Sequence, residues 1–177
     1  VEMRSAAQPE ALRAGRVDVG LVCAPVEARG LRAHVLVRER LVVVIPEAHP
    51  LARRRSIACA ALDGAAAVGV RPDIEPGWAA AAYQALTDAD VALRLVQEAD
   101  TKIALLGLVA AGMGISVVSE SMAALGRDGV VFRPLRDVPL RLPLAILTSE
   151  DAAPAACAFL ALARALHPTR APSGATR

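Results

Sequence analysis

Short apolar runs alternate with helical patterns along most of the chain. Leu41 to Ile45 are consecutive apolar residues that end at Pro46, which is typical of a strand buried on both faces. Residues 47–64 have the pattern of loops and short helices. Periodicity and turn residues predict strands at 1–3, 17–22, 33–37, 40–45, 66–70, 93–97, 115–118, 130–134 and 140–147, and helices at 6–14, 78–87, 101–111 and 154–166.

This alternation predicts an α/β fold. Helices that follow strands usually cover both faces of a largely parallel sheet, so we expect one here. In such sheets ligands bind beyond the carboxyl ends of the strands, where helix N-termini point N–H groups into a crevice. The last predicted helix carries Phe159, Leu162, Ala163 and Leu166 on one face, and this spacing predicts that the face docks on a core.

Composition narrows the classes of protein. The 177 residues are 55% hydrophobic, which excludes disorder over most of the length, and the net charge is only +2. Basic residues are mixed with acidic ones and form no basic stripe, so the sequence of this chain does not indicate nucleic-acid binding. No run reaches the roughly 18 apolar residues that a membrane span needs. The distant cysteines Cys23, Cys59 and Cys157 are expected to be small core residues in a reducing cytoplasm.

Three segments carry a recognisable pattern. They are residues 10–22 with Gly15 between helix and strand, residues 40–52 with Pro46 after the buried strand, and residues 105–118 with Gly112 and Gly114 before a strand. In this order and spacing they resemble the regulatory domain of LysR-type transcriptional regulators, over roughly residues 1–167. Within that family, the pattern most resembles members that respond to aromatic acids and muconate. Ser119 stands where the family pattern commonly has a proline.

The resemblance implies a specific architecture. It is two Rossmann-like lobes with a hinge cleft, similar to type 2 periplasmic binding proteins. Lobe I would comprise residues 1–67 and 148–167, lobe II residues 68–147, with crossing segments near 62–70 and 144–149 and a disordered tail at 168–177. The family pattern also has an N-terminal winged helix-turn-helix, a linker helix, and a first strand and helix of lobe I. We expect these to precede Val1.

Five residues are candidate effector contacts in the cleft between the lobes. Ser5 matches a hydroxyl position that contacts the effector in such relatives, and simple helix capping is the alternative. Cys23 ends a cleft-facing strand where those sensors can carry a basic residue. Gly77 and Trp78 belong to a tripeptide whose counterpart in those relatives offers N–H groups to a carboxylate, although Trp78 could equally serve packing. Thr101 is a hydroxyl at another helix start, where capping is the favoured role.

The resemblance implies a small organic or aromatic acid as effector, a homodimer or tetramer, and DNA contact only through the N-terminal domain. It also implies cytoplasmic localisation and no membrane partner. A solute-binding protein of a transporter, which shares the two-lobed architecture, is the alternative. Catalysis, a cofactor and a metal are not expected, because His34, His49 and His167 lie on different elements and no phosphate loop or nucleophile motif occurs.

Overall fold

The computed structural model describes residues 1–23, 26–71, 73–74 and 76–167. The predicted disordered tail at 168–177 lies outside the described residues. The helices are α1 (Gln8–Arg13), α2 (Pro76–Thr87), α3 (Lys102–Ala110) and α4 (Pro154–Leu166). The strands are β1 (Val19–Cys23), β2 (Leu31–Pro46), β3 (Ala66–Val70), β4 (Arg94–Ala99), β5 (Ser116–Ser119), β6 (Val130–Pro134) and β7 (Arg141–Ser149). Short 3-10 helices occupy Ser5–Ala7, Pro50–Arg53, Cys59–Leu62 and Glu120–Leu125.

Three predicted strands differ from the structure. Residues 33–37 and 40–45 are parts of one 16-residue strand, β2. Residues 1–3, predicted as a strand, form none. A strand exists only where a neighbour supplies its hydrogen bonds, so a short extended segment of three residues was insufficient evidence.

The chain divides into two compact units. Unit 1 holds the described residues of Val1–Arg38 and Pro143–Arg177, and unit 2 is Glu39–Leu142. The chain therefore passes between the units within β2 and within β7. These bounds differ from the expected lobes, 1–67 with 148–167 and 68–147, because the second half of β2 pairs with β5 and β6 of unit 2.

Unit 1 is built on antiparallel strands. β1 pairs with β7 over its whole length, from Val19 opposite Thr148 to Cys23 opposite Leu144. Its buried cluster combines one helix with the two strands through Leu12, Val22, Ala145 and Leu147. Of these, Val22 and Leu147 are fully buried.

Unit 2 has a strand buried on both faces at its centre. β5 and β6 both pair with the second half of β2, and both pairings are antiparallel. Alternate side chains of β2 enter different cores: Leu41, Val43 and Ile45 enter one, and Val42 and Val44 enter the other. This alternation follows from the two-residue period of a strand and explains why the whole run is apolar.

The prediction of a largely parallel sheet is wrong. Among the described strands, β3 and β4 form a parallel ladder, whereas β1 with β7, β2 with β5 and β2 with β6 are antiparallel. Single parallel bridges add Ile57 to Leu135 and Ala67 to Ile115. Sequence alternation gives the order of elements along the chain, but it does not give the order of strands across a sheet.

The predicted docking face of α4 is wrong at three of its four residues. Phe159, Leu162 and Leu166 are 50%, 59% and 68% exposed. The more buried positions are Ala156, Leu160 and Ala163, and of these Ala163 alone belongs to the predicted face. Both stripes have helical spacing, so periodicity alone could not decide which of them is covered.

The cysteines differ in burial. Cys59 is buried, Cys23 is half-buried and Cys157 is exposed, so the expectation of core positions is wrong for Cys157. Burial, and after it the charge of Asp137, raises the pKa of the Cys59 thiol. No helix in the described part of the chain is long and apolar enough to cross a membrane.

Candidate functional site

Two helices of unit 2 begin at the same edge of a parallel strand pair. Val70, which ends β3, is in register with Ala99, which ends β4. α2 begins six residues after Val70, and α3 begins three residues after Ala99. Because parallel strands end at a common edge, both helix N-termini lie on the side where α/β folds bind anions.

The first turn of α2 supplies Gly77 and Trp78. Pro76 suits the first position of a helix because that position needs no N–H donor. The next N–H groups have no partner within the helix, and Gly77 adds no side chain that would hinder approach to them. Trp78 is half-buried, packs against the core cluster that contains Leu41, and donates its indole Nε1–H to Ser119 Oγ over 3.0 Å.

Thr101 begins α3 as its N-cap. Its Oγ1 accepts a hydrogen bond from the backbone N–H of Ala104 over 3.1 Å, with Thr101 in an extended conformation. Capping was the favoured alternative for this residue, and the structure confirms it. The hydroxyl hydrogen of a threonine can still be donated to another group.

Thr101→Ala is expected to lower the free energy of unfolding by about 1 kcal/mol, because the cap bond is lost. Urea unfolding followed by circular dichroism measures the change. Thr87→Ala is the matched control, since the Thr87 hydroxyl bonds back to the Tyr83 carbonyl within α2, and we expect a change within about 0.5 kcal/mol there. Equal losses in the two variants would contradict the cap assignment.

Arg71 is the residue at this edge that sequence reasoning missed. It follows β3, and its guanidinium bonds both carboxylate oxygens of Asp73, at 3.0 and 2.9 Å, and Asp100 Oδ1 at 3.2 Å. These carboxylates raise the pKa of Arg71, with the Asp73 hydrogen bond as the largest cause. The available signal was that Arg71 and Asp100 each follow a predicted strand. It could be used only once β3 and β4 were known to be adjacent and parallel.

Ser5 and Cys23 meet in unit 1. The backbone N–H of Cys23 donates to Ser5 Oγ over 3.3 Å, and Ser5 is 8% exposed. Helix capping by Ser5 was the alternative interpretation and is wrong: the N-cap of α1 is Ala7, and no side chain caps it. Ser5 instead sits in the 3-10 helix before α1 and binds the end of β1.

The histidines have local contacts. Nδ1 of His49 accepts from the backbone N–H of Leu51, so His49 starts a 3-10 helix, as expected of a structural residue. His34 contacts Arg164 at 2.9 Å, and burial, followed by the charges of Arg164 and Arg32, lowers its pKa. Within the described ranges, no group of three His, Cys, Asp or Glu side chains could hold a metal ion.

Comparisons with known proteins agree on one family. A family model described as the LysR substrate binding domain matches residues 1–167. The Hca operon transcriptional activator HcaR of Escherichia coli (strain K12) is 31% identical over 163 residues, which are 92% of this chain and 55% of HcaR. The chain spans about half the length of the curated relatives it matches.

Solved structures are similar in fold. The BenM effector binding domain with its effector benzoate has a TM-score of 0.78 and 22% identity, covering 100% of this chain and 82% of that domain. The effector binding domain of QuiR in complex with shikimate has a TM-score of 0.80 and 18% identity, covering 94% of this chain and 79% of that domain. These matches confirm the predicted α/β fold of the type 2 periplasmic-binding-protein class.

Proposed function

The chain belongs to the LysR substrate binding domain family, and from this premise we propose that its effector is a small organic or aromatic acid. The observation that carries the proposal is the common edge where α2 and α3 begin. The N-terminal ends of helices favour negative charge, and their first N–H groups can bind a carboxylate. Benzoate in BenM and shikimate in QuiR are acids of this kind.

Four groups support acid binding in unit 2. Gly77 has no side chain that would keep a ligand from the first N–H groups of α2. The Thr101 hydroxyl at the start of α3 still has a hydrogen that it can donate. Trp78 offers an apolar ring beside Gly77. Arg71 adds positive charge at the same edge, although Asp73 and Asp100 already balance it. We therefore expect an acid with a single carboxylate rather than a strongly anionic effector.

Ser5 and Cys23 are the contacts proposed in unit 1. The Ser5 Oγ accepts a hydrogen bond from the Cys23 N–H, and this bond does not use the hydroxyl hydrogen, which can be donated to a different acceptor. A carboxylate oxygen is such an acceptor. The near burial of Ser5 would make its hydrogen bond with an effector stronger than one at an open surface.

In the whole protein, this domain would control transcription in the cytoplasm. We also propose that a helix-turn-helix domain N-terminal to this chain binds the DNA. The working form would be a homodimer or tetramer. Effector binding can change DNA binding only if the effector has different affinities for two conformations of the regulator. The names of HcaR and of the helix-turn-helix regulators BudR and AlsR favour this role over transport and over catalysis.

A thermal-shift screen with benzoate, shikimate and small dicarboxylic acids tests the proposal. A ligand at 100 times its Kd adds about 2.7 kcal/mol of stability, which corresponds to a rise of about 5–11 °C in Tm for a protein of this size. We expect at least one monocarboxylic acid to give such a rise. We also expect Ser5→Ala and Trp78→Ala each to reduce it.

Ser121→Ala is the matched control, because Ser121 is exposed on the 3-10 helix after β5 and lies outside the proposed contacts. It should preserve the shift. If no acid raises Tm, the proposed effector class is wrong. If an acid does so equally in Ser5→Ala, Trp78→Ala and the wild type, the assigned contacts are wrong.

A further inference from the structure

We propose that Ser119 is a positioning residue that fixes the indole of Trp78, so that the effector meets the ring of Trp78 and not its N–H group. The inference rests on the proposed function, since it concerns the same site. It adds a residue to that site and a requirement on the effector: a flat apolar portion beside the carboxylate.

The hydrogen bond between Trp78 and Ser119 is well placed to hold the ring. The distance from Nε1 to Oγ is 3.0 Å, which is ordinary for an N–H donor and an oxygen acceptor. Trp78 lies in the first turn of α2, so the bond ties the start of the helix to β5. Ser119 is the last residue of β5 and is 6% exposed.

The acceptor itself has little freedom. Ser119 is in register with Leu41 of the central strand, and all four residues of β5 are buried. The serine side chain is short and starts from a fixed backbone, so its oxygen defines where the indole nitrogen can lie. Trp78 also packs against the core that contains Leu41, and this contact restricts the movement of the rest of the ring.

This bond limits what Trp78 can offer a ligand. An indole has one N–H donor and no hydrogen-bond acceptor on its ring nitrogen. With the donor committed to Ser119, the ring faces and carbon edges remain, and these favour contact with planar apolar groups. The carboxylate of the effector is then left to the backbone N–H groups at the helix starts, as at Gly77. In this arrangement the backbone N–H groups bind the carboxylate, and the ring of Trp78 contacts the apolar portion of the acid.

The chain contains a single tryptophan, which gives the test a specific signal. In a ¹H–¹⁵N correlation spectrum of the labelled protein, one indole N–H resonance is expected. Ser119→Ala should move this resonance upfield and speed its exchange with water, because the N–H loses its acceptor. Ser121→Ala, a change of the same kind two residues away at an exposed position, should leave the resonance in place.

A double-mutant cycle tests the consequence for binding, with benzoate and shikimate as probes. Ser119→Ala should weaken the tighter-binding probe about fivefold, the factor that corresponds to one ordinary hydrogen bond. In a Trp78→Phe background, which keeps a ring but has no N–H, the same substitution should change the affinity less than about twofold. A merely structural role for Ser119 would weaken binding equally in both backgrounds.

The outcomes distinguish a failure of the positioning role of Ser119 from a failure of the proposed function. An unmoved indole resonance in Ser119→Ala overturns the positioning role, as does equal weakening of binding in the two backgrounds. Failure of the wild type to bind either acid, together with no shift from any other acid in the thermal screen, contradicts the proposed function. The indole resonance of the unliganded protein would still decide whether Ser119 holds Trp78.

Discussion

Gly114→Ala is expected to lower the free energy of unfolding by about 3 kcal/mol, at the upper end of the usual cost of overpacking. A Cβ at this position would lie 2.5 Å from the carbonyl oxygen of Ala66 and 2.8 Å from its carbonyl carbon. Both are backbone atoms, so no side-chain rotation relieves the overlap and one of the two chain segments must move.

The movement would also disturb hydrogen bonds. The N–H of Ile115 donates to that Ala66 oxygen over 2.8 Å, and the N–H of Val68 donates to the Ile115 carbonyl over 2.7 Å. These two bonds connect β3 with the segment that leads into β5. Displacing Gly114 therefore strains the contact between neighbouring strands in unit 2, and we expect a lower Tm as well as a lower urea midpoint.

Gly107→Ala is the matched control in the same unit. Gly107 lies inside α3, and the nearest atom to its added Cβ is Arg127 Nη2 at 3.8 Å, an ordinary contact. Because glycine is unfavourable within a helix, we expect this variant to be more stable by about 0.5–1 kcal/mol. The same chemical change should thus have opposite signs at two positions. A Gly114→Ala variant as stable as the wild type would show that the two segments are not packed as described.

Much of the fold could be predicted because its signals are local. Pro46 marks the end of β2, and the apolar residues before it indicate a strand buried on both faces. The predicted strand at 66–70 and the helix at 154–166 have the observed bounds, since turn residues and proline flank them. Local signals of this kind do not require knowledge of the partner element.

The pairing of strands could not be predicted in the same way. Nothing local to β1 indicates that it runs antiparallel to β7, more than 100 residues later. The same limit hid the candidate site residue Arg71, which meets Asp100 only because β3 and β4 are parallel neighbours. It also left the serine at position 119 without an interpretation until the indole of Trp78 was found beside it.

The identity of the candidate residues came from resemblance, whereas their contacts came from the structure. Thr101 has the capping role that its position before a helix predicts. Ser5 has a similar position before α1, yet it binds the end of β1 instead. A hydroxyl near a helix start can reach several backbone groups, and local sequence does not choose among them.

Leu147→Ala is expected to lower the free energy of unfolding by about 2–5 kcal/mol. Leu147 is fully buried at the centre of the unit 1 cluster, on the strand β7 that pairs with β1. Truncation removes buried apolar surface and leaves a cavity that the surrounding strands can fill only in part. Leu162→Ala is the matched control in the same unit, because Leu162 is 59% exposed on α4 and should change stability by no more than about 0.5 kcal/mol. Urea unfolding of both variants measures the difference. Equal losses would mean that the exposed face of α4, which carries Phe159 and Leu166 beside Leu162, is packed against a core after all, as its periodicity had predicted.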